Sequence, residues 1–208
     1  MPRASGNAEG RVDLSLVERV LYKDGMMLVL DKPAGWCCTP TGPGIHLTDH
    51  LQELTFGKTR LPQVAHRLDR DTTGCLILGR HPAALRQLAE LFQQRRLTKI
   101  YWALVRGNWP PSLVRLDQPL EGKEALTEVR VLGRGPEGSW LELRPLTGRK
   151  HQLRLHCARA GHPIVGDGTT SMRLHARRVE VPLYPKKPAV VVEAPLPSEW
   201  PAVENLGS

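Results

Sequence analysis

The chain has 208 residues, of which 40% are hydrophobic, so it can bury one sizeable core, and we expect one domain with at most two lobes. Its formal net charge of +8 indicates a polyanionic partner, either a nucleic acid or an acidic membrane surface. No apolar stretch reaches the roughly 18 residues of a membrane span, and the N-terminus lacks the apolar core of a secretory signal, which argues against an integral membrane or secreted protein.

The pattern divides the chain into a disordered N-terminal extension over residues 1–12, a folded domain over 13–197 and an acidic C-terminal tail over 198–208. Residues 14–22 fit either a short helix or a strand. A buried strand follows at 26–30, and the turn residues Asp-Lys-Pro-Ala-Gly stop it. The pattern alone leaves open whether the lysine of this turn is merely solvated.

Further elements follow from hydrophobic periodicity and from turn residues. Helices are predicted over residues 47–56, from Pro82 onward, and from an N-cap at Thr147 to a stop at Gly161. Strands are predicted at residues 75–78, 99–107, 114–116, 126–132, 140–146, 172–182 and 189–194.

The most informative stretch covers residues 65–79. It begins polar and charged, passes through a Thr-Thr-Gly turn and ends in the apolar strand at 75–78. Asp69 precedes this strand between Arg67 and Arg70, two fixed positive charges that favour an ionised carboxylate and suit a phosphate backbone. Charged clusters of this kind are also common on ordinary surfaces.

Residues 66–74 read His-Arg-Leu-Asp-Arg-Asp-Thr-Thr-Gly, which resembles the signature of the RluA-type pseudouridine synthases, whose aspartate is catalytic. Residues 99–107 resemble the Lys-x-Tyr-x-Ala-x-Val-x-Gly motif that carries the family's active-site tyrosine, here Tyr101. Residues 147–156 resemble its Thr-Gly-Arg-x-His-Gln-(Leu or Ile)-Arg-x-His motif, in which Arg154 would pair with Asp69. The turn at 31–35 and the Leu-His-Ala at 174–176 are weaker matches.

The resemblance implies an α+β pseudouridine synthase fold, with a long, mainly antiparallel mixed sheet around a central cleft and with flanking helices and loops. It implies isomerisation of a flipped-out uridine in RNA, with Asp69 acting at the sugar or the base. By analogy Arg67 would fill the space that the base vacates, and Tyr101 would take the proton from carbon 5. Leu153 would pack either on the uracil or in the core.

The expected partner is ribosomal or transfer RNA, bound by a monomer without a protein partner. Residues 58–100 hold nine Lys or Arg against three Asp or Glu, and residues 144–187 hold ten against two. The chain has no room for the small N-terminal RNA-binding domain of many family members, so recognition is expected to come from the catalytic domain.

No metal or cofactor is expected, because the histidines lack a liganding spacing and neither a P-loop nor a dinucleotide fingerprint occurs. The four cysteines also lack zinc spacing, which favours reduced thiols in the cytoplasm. Two other classes stay open. One is a catalytically silent RNA-binding module, and the other is a glycosidic hydrolase with Asp71 as its second carboxylate.

Overall fold

A computed structural model describes residues 15–40 and 44–200 of the chain. The predicted N-terminal extension and residues 201–208 of the predicted acidic tail lie outside these described residues. Within them, none of the helices is both long enough and apolar enough to cross a bilayer.

The described residues form twelve strands, two α-helices and two 3-10 helices. The strands are β1 (Val20–Lys23), β2 (Met27–Lys32), β3 (Trp36–Cys37), β4 (Ile45–His46), β5 (Gln63–Val64), β6 (Thr73–Gly79), β7 (Thr98–Val105), β8 (Arg115–Leu116), β9 (Thr127–Gly135), β10 (Gly138–Pro145), β11 (Leu174–Val181) and β12 (Val190–Glu193). The α-helices are α1 (Pro82–Gln93) and α2 (Gln152–Arg159), and the 3-10 helices are Leu16–Arg19 and Leu47–Leu54.

Ten of these strands form one sheet in the described part of the chain. Its order is β1-β2-β6-β11-β7-β10-β9-β8, with β5 also pairing with β6 and β12 also pairing with β11. The contact between β6 and β11 is parallel, and the other pairings in this sheet are antiparallel. The predicted α+β fold with a mainly antiparallel mixed sheet is therefore confirmed.

Two of the three apolar clusters in the described chain lie on either side of the sheet centre. The first includes Leu28, Ile77 and Leu88 and packs α1 against β2 and β6. The second includes Leu141 and Cys157 and packs α2 against β10. Because the sheet runs through both clusters, the two lobes share one scaffold, and a cavity opens where the lobes meet.

The helix predicted to begin at Thr147 begins instead at Gln152. The Thr147 hydroxyl donates to the buried Oε1 of Gln152 at 2.7 Å, and the backbone N–H of Arg149 donates to the same oxygen at 2.9 Å. These bonds hold residues 147–151 as a loop, and His151 takes a left-handed conformation with φ of 53°. Gly161, with φ of 84°, follows the end of α2 as predicted.

Two further differences concern the N-terminal third. Residues 14–22, read as either a helix or a strand, contain both, since the 3-10 helix Leu16–Arg19 leads directly into β1. The helix predicted over 47–56 is a 3-10 helix that ends at Leu54, with its leucines at 47, 51 and 54 buried as expected.

Candidate active site

The cavity between the lobes has a volume of about 410 Å³, which is within the usual range for small-molecule sites. One wall is formed by the loop that leads into β6, and the opposite wall by the loop 147–151 and the first turn of α2. All five residues that the sequence singled out line this cavity: Arg67, Asp69, Tyr101, Leu153 and Arg154.

The Asp69 carboxylate lies between two basic side chains. Its Oδ2 accepts a hydrogen bond from Nη1 of Arg154 at 3.0 Å, across 85 positions of sequence. Its Oδ1 lies 3.6 Å from Nε2 of His151. About a quarter of the Asp69 side chain is exposed, and at 3.6 Å the His151 imidazole is near Oδ1 without a hydrogen bond to it.

Arg154 is itself held from a second side. Its Nε donates to Oδ1 of Asp167 at 2.6 Å, so the guanidinium lies between two carboxylates. Burial disfavours its charge, but the hydrogen bonds and charges of Asp69 and Asp167 outweigh burial and raise the pKa of Arg154 above its usual value. A guanidinium fixed at both ends presents a defined geometry to Asp69, because its planar fork leaves few orientations that satisfy both partners.

A buried lysine anchors the loop that carries Asp69. The sequence alone left open whether this lysine is solvated. Lys32 is fully buried, and its ammonium donates to the carbonyls of Pro33 at 2.8 Å, Trp36 at 3.0 Å and Arg70 at 2.8 Å. Burial lowers the pKa of Lys32 to about 8. The lysine thus joins the turn after β2 to the residue that follows Asp69.

The end of this loop meets β11 at very close range. Gly74 has φ of 98°, and a Cβ at this position would lie 2.4 Å from the carbonyl oxygen of Ala176. The Thr73 hydroxyl is 2.7 Å from Nδ1 of His175. The Thr-Thr-Gly turn therefore has a steric reason for its glycine, since no larger residue allows β6 and β11 to pair in parallel here.

Tyr101 lines the cavity from β7, and its hydroxyl makes no hydrogen bond to any residue of the described chain. Burial, followed by the negative charge of Asp69, raises the pKa of Tyr101 well above its ordinary value. The residue is therefore a neutral phenol at physiological pH, with a hydroxyl that is available to a bound molecule.

The two remaining predicted residues differ in exposure. Arg67 is exposed and lines the cavity. Leu153 is buried and belongs both to the second apolar cluster and to the cavity wall. The two interpretations of Leu153, as core residue and as contact for a base, are thus compatible.

The hydrolase alternative requires a second carboxylate that faces the same cavity. Asp71 is buried and paired with Arg70, whose Nε and Nη2 each donate to it at 3.0 Å, and neither residue lines the cavity. Among residues 15–40 and 44–200, no three His, Cys, Asp or Glu side chains are grouped so as to hold a metal ion.

Comparison with solved structures relates this fold to known proteins. The human RNA pseudouridylate synthase domain containing 4 matches with a TM-score of 0.74 over 88% of this chain and 90% of its own, at 24% identity. The human RNA pseudouridylate synthase domain containing 1 matches with a TM-score of 0.66 over 85% of this chain and 82% of its own, at 28% identity. The fold is that of the pseudouridine synthases.

Sequence comparison agrees. The family described as RNA pseudouridylate synthase matches residues 26–159. An uncharacterized RNA pseudouridine synthase of Zymomonas mobilis is 39% identical over 89% of this chain and 96% of its own length. The ribosomal large subunit pseudouridine synthase C of Vibrio vulnificus is 33% identical over 73% of this chain, but the match spans only 52% of that longer protein.

The chain therefore belongs to the RluA-type family of RNA pseudouridine synthases. It is an isomerase that acts on RNA, and the silent RNA-binding module is not favoured.

Proposed function

We propose that the protein isomerises specific uridines in structured ribosomal RNA, with Asp69 as the catalytic residue. The observation that carries this proposal is the ionic contact of Asp69 with Arg154 inside a cavity large enough to admit a nucleobase. Ribosomal RNA is favoured over transfer RNA because relatives from Vibrio are described as ribosomal large subunit enzymes. The four free cysteines fit a cytoplasmic protein, and since all the residues involved lie in one chain, a monomer suffices.

The reaction breaks the bond between ribose carbon 1 and nitrogen 1, forms the bond from that carbon to carbon 5, and moves one proton from carbon 5 to nitrogen 1. Because nothing is oxidised or reduced, side chains can supply the whole chemistry. A base stacked inside RNA cannot enter a cavity between the two lobes, so it must first leave the stack, at a cost of a few kcal/mol.

The two oxygens of Asp69 have different tasks. Oδ2 is engaged by Arg154 at 3.0 Å, whereas Oδ1 is 3.6 Å from His151 and is therefore the freer oxygen. We assign to Oδ1 the reacting role, either as nucleophile at the sugar or base, or as the base that takes the proton from ribose carbon 2. Arg154 holds the carboxylate in place and compensates its charge where the flipped base excludes water.

The other cavity residues serve the flipped nucleotide. Arg67 enters the space that the uracil leaves in the RNA stack and delays its return. Leu153 gives one face of the cavity an apolar surface for the ring. Tyr101 contacts the ring as a neutral phenol, and it can accept the proton from carbon 5 only if it passes on its own proton in the same step.

The test is to map pseudouridine in total RNA from cells with and without the gene, by chemical adduct and reverse-transcription stop. Deletion should remove one or a few stops in ribosomal RNA, and the wild-type gene should restore them. Asp69→Asn should leave them absent, since removal of a catalytic side chain lowers kcat by at least about a thousandfold. Its RNA affinity should stay within about threefold of wild type.

Asp117→Asn is the matched control, because Asp117 is an exposed carboxylate outside the cavity. It should restore every stop. Restoration of the stops by Asp69→Asn would overturn the catalytic assignment. Release of free uracil from RNA by purified protein would favour the hydrolase instead, and loss of stops in transfer RNA alone would move the substrate to that class.

A further inference from the structure

A second groove opens beside the active-site cavity, and the catalytic assignments leave it unused. Its volume is about 710 Å³. Its walls are residues 92–93 and 95–99, from the end of α1 to the start of β7, together with residues 144–149 and Leu126. It shares six lining residues with the cavity, including Phe92 and Lys99. The two spaces are therefore adjacent.

The charge of this groove has one sign. Every charged residue that lines it in the described chain is basic: Arg95, Arg96, Lys99, Arg144 and Arg149. A concave surface lined by a single sign of charge concentrates the field and attracts a polyanion. The groove also has apolar surface, from Phe92 and Leu146, on which a base or ribose can pack.

Lys99 lies at the junction of the groove and the cavity, and its ammonium has no partner. It is half-buried, yet its side chain makes no hydrogen bond or ion pair with any described residue. Burial lowers the pKa of Lys99, and no carboxylate offsets that effect. Lysines in such surroundings are usually paired, so this position is suited to an anion supplied from outside.

The arginines around Lys99 are available to the same anion. The side chain of Arg96 is exposed and forms no ion pair with a described residue. Arg95 pairs with Glu124 at 3.1 Å and Arg144 pairs with Glu128 at 3.3 Å, but all four side chains are about half exposed or more. Exposed pairs of this kind contribute little, so both arginines can turn to a phosphate at small cost.

We propose that this groove holds the sugar–phosphate backbone of the RNA strand that adjoins the flipped uridine, with Lys99 on the phosphate nearest the uridine. The inference rests on the proposed function, because it assumes that the uridine occupies the Asp69 cavity. The groove gives the described domain a surface that can bind the RNA backbone, since its basic side chains lie next to the cavity that holds Asp69.

The first test measures binding, in the inactive Asp69→Asn protein, to an unmodified large-subunit ribosomal RNA transcript over a series of KCl concentrations. Arg96→Gln and Arg144→Gln should each weaken affinity about fivefold and lower the slope of log K against log salt by about 1. Arg86→Gln is the matched control, because Arg86 is exposed on α1 but lines neither the groove nor the cavity. It should leave both quantities unchanged.

The second test determines which phosphate Lys99 contacts. Once mapping has identified the target uridine, a synthetic RNA hairpin is made with a neutral methylphosphonate in place of one phosphate flanking it. Lys99→Met and the methylphosphonate should each weaken binding, and their combination should weaken it no further at one flanking position. Both effects adding in full at every flanking phosphate would refute the contact.

The outcomes separate the groove from the reaction. If wild-type protein forms pseudouridine but Arg96→Gln and Arg144→Gln bind like Arg86→Gln, the groove proposal is wrong and the proposed function stands. If wild-type protein forms no pseudouridine while the groove variants still lose affinity and salt slope, the groove binds RNA and the catalytic proposal is wrong.

Discussion

Replacement of Lys32 by methionine tests how the loop that carries Asp69 is held. Three carbonyls, those of Pro33, Trp36 and Arg70, would lose their donor, at about 1–3 kcal/mol for each unsatisfied acceptor. Methionine also avoids the cost of burying an ammonium. That cost is about 3 kcal/mol, because burial lowers the pKa of Lys32 from 10.5 to about 8. At about 2 kcal/mol for each of the three acceptors, the balance is a loss of about 3 kcal/mol in the free energy of unfolding.

The assay is urea unfolding followed by fluorescence, together with steady-state kinetics at a temperature where the variant is folded. Because the bond to the Arg70 carbonyl lies one residue from Asp69, kcat should also fall about tenfold or more as the carboxylate loses its position.

Lys23→Met is the matched control. Lys23 is on the neighbouring strand β1, exposed, with its ammonium 4.1 Å from the ring centroid of Phe56, and its loss should change stability by no more than about 1 kcal/mol. A Lys32→Met protein that unfolds within about 1 kcal/mol of wild type and keeps its kcat would show that the buried lysine is neither a tether nor a stabilising element.

Two further predictions concern Asp167, which pairs with Arg154, and the histidines His66 and His175. Asp167→Asn removes the second anchor of Arg154, so kcat should fall about tenfold with little change in RNA affinity, and an unchanged kcat would show that Asp69 alone positions the guanidinium. Burial lowers the pKa of His66 to about 3 and of His175 to about 4, below the unfolded value of about 6.5. Because the unfolded chain then binds protons first, stability should be full above about pH 6.5 and fall below it, by about 2 kcal/mol per histidine at pH 5. Urea unfolding at several pH values measures this, and His66→Gln should reduce the slope of stability against pH by the share that His66 contributes. An unaltered slope would contradict it.

Local pattern was sufficient for most of the elements. Apolar runs bounded by Pro, Gly or charged turns gave β2, β6 and α1 within a few residues, because these signals are read within one segment. The prediction of an N-cap at Thr147 was wrong, because contacts from outside its own segment decide how this residue bonds. The hydroxyl of Thr147 accepts a hydrogen bond from the N–H of Leu126 at 2.8 Å and donates to Gln152. Because these contacts occupy the hydroxyl, it does not cap the helix.

In the candidate site, too, some residues were predictable from local pattern and others only from long-range contacts. The motifs around Asp69, Tyr101 and Arg154 were recognisable in the sequence, because each is a short run of particular side chains. Lys32 was visible only as part of a weak turn motif, and its burial was not predictable from the residue type, since lysine is ordinarily solvated. His151 stood inside a recognised run and Asp167 beyond its end, but no local signal tied either one to the Asp69 carboxylate or to Arg154.

The sequence by itself determined the chemistry of this protein, because the acidic, phenolic and basic groups that line the cavity occur in runs that identify the family. Only the tertiary structure decided how those groups act together. Asp69 and Arg154 are 85 positions apart, and their contact, like the second bond from Arg154 to Asp167, joins separate segments of the chain. The groove likewise brings residues 95–99 together with residues 144–149. Such contacts arise from the packing of distant segments, which no short run of residues encodes.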